Sequence, residues 1–149
     1  MKIVIASDHG GFELKNKIAA WLHDKNLNVV DLGSYLFDAE DDYPDFAKAV
    51  AEKISSGEAG KGILICGSGV GASIAANKFK GVRASVCHDC YSARQGVEHD
   101  SMNVICLGAR IIGEELAREV ASAFISAKFI EEERYIRRLE KVIKFEEAL

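Results

Sequence analysis

The sequence predicts a three-layer α/β domain: a five-stranded parallel sheet, doubly wound by helices in a Rossmann-like manner, with an extra C-terminal helix. Three observations predict it. Short runs rich in valine, isoleucine and leucine alternate with longer stretches of helical periodicity, the order that right-handed βαβ winding produces. Most of these runs are nearly continuous in apolar residues, as strands covered on both faces are. The chain has 149 residues, enough for one core, and contains no repeat, low-complexity tract or linker, so 1–149 reads as a single domain.

The elements follow in order. Lys2–Ala6 (KIVIA) is the first strand. Phe12–Lys25 is helical, with Phe12, Leu14, Ile18, Trp21 and Leu22 at helical spacing. Asn28–Leu32 (NVVDL) is the second strand. Gly33–Tyr43, carrying Asp38, Glu40, Asp41 and Asp42, reads as a solvated acidic loop, and Pro44 suits the first turn of a helix over 44–56. Gly62–Cys66 (GILIC), Arg83–Cys87 (RASVC) and Asn103–Leu107 (NVICL) supply the remaining strands, with helices over 70–79, 90–98 and 112–127. The tail, 130–148, is a highly charged helix with a narrow stripe of Ile136, Leu139 and Ile143, suited to packing on its own domain or reaching a partner subunit.

Composition narrows the function. A net charge of −4 provides no basic field for nucleic acid, although a few local cations can still hold an anionic substrate. The apolar run at the N-terminus is too short for a signal peptide, and no run approaches the ~20 residues of a membrane helix. A cytoplasmic location is therefore expected, with the four cysteines as reduced thiols.

In open parallel sheets, ligands bind beyond the carboxyl ends of the strands. Three of those ends carry chemistry: the first strand runs into Ser7-Asp8-His9-Gly10-Gly11, the third into Cys66-Gly67-Ser68-Gly69-Val70-Gly71, and the fifth is preceded by Glu98-His99-Asp100 and followed by Gly108-Ala109-Arg110. Alternating glycines between a buried strand and a helix let the backbone approach a ligand, and their N–H groups favour negative charge. Cys66 at the mouth of that field combines a thiolate-type base with an anion hole. Two other readings of the loop stand beside this one. In the first it is a tight turn, with Cys66 as a small core residue. In the second it is a dinucleotide fingerprint through Gly67, Gly69 and Ala72, with Asp89 on a ribose, which would make the protein a nucleotide-binding oxidoreductase. A serine nucleophile elbow fails, because position 66 is cysteine.

The remaining candidates are weaker when taken singly. Cys87-His88-Asp89-Cys90 is a lone C-x-x-C, read as two packed thiols in preference to a redox or zinc site. His99 reads as a surface histidine, and Asp8 suits an Asx-type turn. Arg134 and Arg138 are stacked like charges four residues apart, and Arg138 has no acid at three or four residues in either direction. A phosphate between them would relieve their repulsion.

Together these stretches resemble the type B ribose-5-phosphate isomerases, a family grouped with the galactose-6-phosphate isomerase subunits. The likeness runs from about residue 2 to 143 and is carried by Ser7-Asp8-His9-Gly10-Gly11-Phe12, Asp42-Tyr43-Pro44-Asp45, Gly62 through Gly71, and Ser73-Ile74-Ala75-Ala76-Asn77-Lys78. The resemblance implies an aldose–ketose isomerase that interconverts ribose 5-phosphate and ribulose 5-phosphate without metal or cofactor. It implies Cys66 as the enediol-forming base, with Gly67, Gly69, Val70 and Gly71 offering amides and Ser68 assisting. It implies His99, aided by Asp8, for ring opening, and Tyr43 and Asp100 in the sugar pocket. His9, Arg110, Arg134 and Arg138 fall on the phosphate. A homodimer or dimer of dimers with shared sites is implied as well.

Three positions depart from the family pattern. Ser68 stands for the common Thr, Asp100 for the usual Asn, and Glu131-Glu132-Glu133 for the Gly-Gly that often precedes Arg134. Ser68 is a mild departure; the other two leave an allose, galactose or tetrose phosphate as alternative substrates. A sugar-phosphate binding module without catalysis is the further alternative.

Overall fold

The computed structural model describes residues 1–148; Leu149, the last residue of the expected domain, lies outside the described residues. The five parallel strands are β1 (Ile3–Ser7), β2 (Val29–Asp31), β3 (Lys61–Cys66), β4 (Ala84–Val86) and β5 (Val104–Gly108), in the order β2-β1-β3-β5-β4. Six α-helices accompany them: α1 (Phe12–Asp24), α2 (Tyr43–Ser55), α3 (Val70–Ala76), α4 (Cys90–Asp100), α5 (Glu114–Ser126) and α6 (Glu133–Glu147). The predicted doubly wound architecture, with its additional C-terminal helix, is therefore the observed one. No helix among the described residues is long and apolar enough to cross a membrane.

Strand alternation divides the core into two layers. Ile3, Ile5, Ile63, Ile65, Ile105 and Leu107 point to one face, where Leu14, Ile18 and Leu22 of α1, Val97 of α4 and Val120 and Phe124 of α5 cover them. Val4, Ala6, Leu64, Cys66, Val104 and Cys106 point to the other, against Val50 and Ile54 of α2 and Ala72 and Ala76 of α3. Both faces are thus dry, which is why the strands read as continuous apolar runs.

Element boundaries differ slightly from the sequence reading. β2 and β4, on the two edges of the sheet, are each trimmed to three residues. α3 stops at Ala76 rather than running to residue 79, because the Asn77 side chain leaves the helix. Its Nδ2 donates to Ala84 O at 2.8 Å, and its Oδ1 accepts from Ala84 N at 2.8 Å.

The chain winds outward from β1 to β2, then crosses back to β3. The crevice between the carboxyl ends of β1 and β3 is therefore the topological switch point, where doubly wound sheets hold ligands. Because the strands are parallel, each crossover helix runs back, and its C-terminus lies at the amino end of the sheet.

Candidate active site

β3 delivers Cys66 to the switch point from the α2/α3 face, where the residue is 6% exposed. The chain then turns through Gly69, whose φ of 82° lies in the left-handed region that glycine adopts without strain. That turn aims Gly69 N–H at Cys66 Sγ, 3.0 Å away. Ser68 Oγ accepts from Val70 N at 3.3 Å, which closes the loop over the start of α3. A Cβ on Gly71 would fall 2.7 Å from the Tyr43 ring, so the absence of a side chain at position 71 lets Tyr43 lie against the loop. Arg110, beyond β5, hangs over the same loop. Its N–H donates to Gly67 O at 3.0 Å, and its guanidinium stem lies 3.6 Å from where a Gly67 Cβ would stand.

β1 brings the second half of the crevice. Its chain turns through a short 3-10 segment, His9–Gly11, so tightly packed that a Cβ on Gly10 would lie 3.1 Å from Gly67 N and 3.3 Å from Asp8 Oδ1. Asp8 is 8% exposed, and burial raises its carboxyl above the usual range, opposed by the positive charge on His9. Among the described residues, Asp8 Oδ1 and Asp41 Oδ2 are buried with no hydrogen-bond partner.

Asp41 is the surprise of the site. It comes from the acidic stretch expected to be solvated, yet its Oδ1 accepts from His9 N at 2.9 Å and pairs with His9 Nδ1 at 2.7 Å. The hydrogen bond to Asp41 is the main reason the His9 imidazolium is held above its ordinary range; burial and Arg110 oppose it, and Asp8 adds to it. Asp8, His9 and Asp41 are close enough to suggest an ion cage, but Asp41 Oδ1 is already taken by His9, so the group reads as a hydrogen-bonded His9–Asp41 pair with the Asp8 carboxyl beside it.

The sequence-predicted residues thus fall into two groups. Asp8, His9, Tyr43, Cys66, the loop from Gly67 to Gly71 and Arg110 meet at the carboxyl end of the sheet. The others do not join them within one chain. His99 ends α4, which runs back to the amino end. The neighbouring Ser101 shares a cleft there with Met1, Gly60 and Lys61. His99 precedes β5, and residues that precede a parallel strand lie opposite those that follow it; this corrects the grouping of Glu98-His99-Asp100 with the strand ends.

At the amino end, His99 stacks on Tyr135 of α6 with centroids 4.2 Å apart, and its Nδ1 pairs with Gln95 Nε2 at 2.9 Å. Asp100 lines a separate cleft of about 790 Å³ with Arg83, Val142 and Phe145. Arg134 is exposed and has partners, contrary to the bare pair expected: Nε lies 3.2 Å from Glu132 Oε2, and a terminal nitrogen donates to Tyr135 Oη at 2.7 Å. Arg138, one turn further on, is exposed.

Residues with competing readings find structural roles. Asp89, the candidate ribose acid, caps α4 by accepting from Ser92 N at 2.7 Å. His88 Nε2 accepts from Gly108 N at 2.8 Å. The four cysteines are free thiols, and Cys87 is buried beside Met102. Sequence reasoning missed Asp41, which nothing local distinguishes from its acidic neighbours. It also missed Tyr135, although Tyr135 lies four residues before Leu139 and so on the same helical stripe.

The family model described as Ribose/Galactose Isomerase matches residues 3–142. This chain belongs to that family. It is 42% identical over 146 residues to the ribose-5-phosphate isomerase B of Escherichia coli strain K12, covering 98% of this chain and 97% of the relative. It is also 42% identical over 132 residues to the D-erythrulose-4-phosphate isomerase of Pectobacterium atrosepticum, covering 87% of this chain and 85% of the relative. The crystal structure of ribose-5-phosphate isomerase B from Mycoplasma genitalium with bound ribulose-5-phosphate superposes with a TM-score of 0.94 at 44% identity, covering 99% of this chain and 97% of that one. Membership makes this protein an isomerase of the sugar-phosphate, aldose–ketose class, while the named relatives differ in the sugar.

Proposed function

We propose that the protein interconverts ribose 5-phosphate and ribulose 5-phosphate through a cis-enediolate, with Cys66 as the carbon base. The observation that carries this reading is the Gly69 N–H donated to Cys66 Sγ at 3.0 Å. It directs the sulfur lone pairs and steadies negative charge on sulfur at the ligand crevice of the fold.

In the forward step the Cys66 thiolate takes the C2 proton of the open-chain aldose, and the electron pair moves onto the C1 carbonyl oxygen. The C2 hydroxyl proton passes to the C1 oxygen, and returning the carbon proton from the Cys66 thiol to C1 as the C2 oxygen becomes the carbonyl gives the ketose and regenerates the thiolate. With Gly69 N–H held on the thiol and Val70 N–H on Ser68, the amides of Gly67, Ser68 and Gly71 are the donors for the enediolate. Tyr43 flanks the sugar. His9 and Arg110 hold the phosphate from this side, which converts remote binding into alignment at C1 and C2.

Ring opening needs a further proton carrier, and the proposed one is His99 from a second copy. Two chains related by a two-fold axis can set the amino end of one sheet against the carboxyl end of the other, which carries His99, Asp100, Arg134 and Arg138 toward the partner's loop. An exposed apolar stripe on α6 supports this docking: Ile136 is 38% and Ile143 37% exposed.

The deciding experiment is an isomerase assay over ribose, allose, galactose 6- and erythrose 4-phosphates and their ketoses, with EDTA present. The highest kcat/KM on ribose 5-phosphate, unaffected by EDTA, is the expected result. A higher value on a four- or six-carbon phosphate overturns the substrate.

A further inference from the structure

Asp41 is 32 residues away from His9 in sequence and binds it twice with one oxygen: backbone N–H at 2.9 Å and ring Nδ1 at 2.7 Å. The Asp41 side chain is 10% exposed and that of His9 32% exposed, so the acid is sheltered while the imidazole keeps an open edge. The ring is braced by the edge of Phe37, 6.3 Å between centroids, from the same loop as Asp41. This is more organisation than a solvated acidic loop needs, and none of it serves the thiol chemistry at Cys66.

We propose that Asp41 is a positioning residue for His9: it holds Nδ1–H inward, so that Nε2 is the edge presented to substrate, and it keeps the ring cationic toward the phosphate. The proposal rests on the sugar-phosphate reaction above. The tautomer makes the charge decisive. With Nδ1 committed to Asp41, a neutral His9 turns a bare Nε2 lone pair to the substrate, which repels an oxyanion, whereas a protonated ring donates Nε2–H to it. A carboxylate behind the ring favours the second state, as a carboxylate behind a metal-bound or catalytic histidine does.

Every charged group facing His9 enters the balance. Asp8 and Asp41 favour its proton, and Arg110 opposes it. Glu13 and Lys17 of α1 and Glu114 of α5 line the cleft beside it, with Lys17 and Glu114 paired at 3.3 Å. Asp41 is the one acid among them that hydrogen-bonds the ring.

The test is Asp41→Asn, which keeps an oxygen in place of Oδ1 but removes the charge. NMR of the His9 ring nitrogens in the free enzyme follows its protonation, with inorganic phosphate as the anion probe. Steady-state kinetics from pH 6 to 9 give KM and kcat. The ratio of variant to wild type at each pH cancels the substrate's own ionisation near pH ~6.

His9 should lose its proton at lower pH in the variant. KM should be near wild type at pH 6 and raised roughly tenfold at pH 8, the size of one charge-assisted hydrogen bond, with kcat little changed. In a His9→Gln background, Asp41→Asn should add no further pH-dependent change in KM. An unchanged His9 titration, a KM ratio flat with pH, or a fall in kcat at constant KM would each overturn the proposal. Absence of turnover on ribose 5-phosphate would count against the proposed reaction alone, because the His9 titration and phosphate binding are read without it.

Discussion

The two ends of strand β3 are about equally buried and do opposite things. At its start, Lys61 is 7% exposed; at its end, Cys66 is 6% exposed. The Lys61 ammonium caps α5, donating to Phe124 O, to Ile125 O at 3.0 Å and to Ala127 O at 2.8 Å. All three of its protons are spoken for, and the group closes carbonyls that a helix end otherwise leaves open. On the β1 side of the crevice that Cys66 enters, the arrangement is reversed: Ser7 Oγ, Asp8 Oδ1 and Asp41 Oδ2 are buried without partners among the described residues. Burial alone therefore does not separate a structural polar group from a functional one. Hydrogen-bond satisfaction adds a second criterion, because an unpartnered buried donor or acceptor costs about 1–3 kcal/mol, but it is no sufficient one: Ser34 Oγ and Arg118 Nε are buried without partners as well.

Substitutions at the two ends should separate activity from stability. Cys66→Ala should leave the thermal midpoint within a few degrees of wild type and lower kcat by ~10³-fold or more, since a positioned base contributes ~10²–10⁴-fold. Substantial residual turnover on ribose 5-phosphate would remove Cys66 from the role of base.

The contrast extends to the whole sheet, because His99, Arg134 and Arg138 lie toward its amino end, the end of Lys61. Mixing Cys66→Ala chains with Arg134→Ala/Arg138→Ala chains, under conditions that allow exchange, should restore activity in part, up to roughly a quarter of wild type for random pairing into two-fold dimers. No recovery despite verified exchange would place both groups in one chain's site. His99→Ala sharpens the same point: kcat/KM should fall on ribose 5-phosphate at least ~10-fold more than on erythrose 4-phosphate, which cannot close a comparable ring. Equal losses would show that His99 acts after ring opening.

The smallest effect belongs to the structural end. Lys61→Met should lower stability by about 2 kcal/mol by stripping three carbonyls of their donor, with kcat unchanged. Burial pushes the Lys61 ammonium down to about 8, below the ~10.4 of an unfolded lysine. Between those values the unfolded chain binds more protons than the folded one, so stability at this site rises with pH. Denaturant midpoints from pH 7.5 to 10 should accordingly climb for wild type relative to Lys61→Met; parallel curves would mean that the three carbonyls hold the proton as firmly as water does.

What the sequence determined by itself was everything written in short-range pattern. Continuous apolar runs specified strands dry on both faces, helical spacing specified the covering layers, and the glycines after Cys66 specified a turn that aims N–H groups at a thiol. Tyr43 and Arg110 could be placed at the site by resemblance, and the fold does bring both to the loop. Tertiary structure alone decided which acid of the run Asp38–Asp42 matters, because only the path of the loop after β2 carries Asp41 back to His9. It alone decided that Tyr135 covers His99 and that Arg134 has Glu132 and Tyr135 as partners. It also separated His99 from Cys66. The physical reason is the same in each case. Periodicity and turn chemistry act over a few residues, whereas a contact between distant residues depends on where the packed layers put their loops and helix ends.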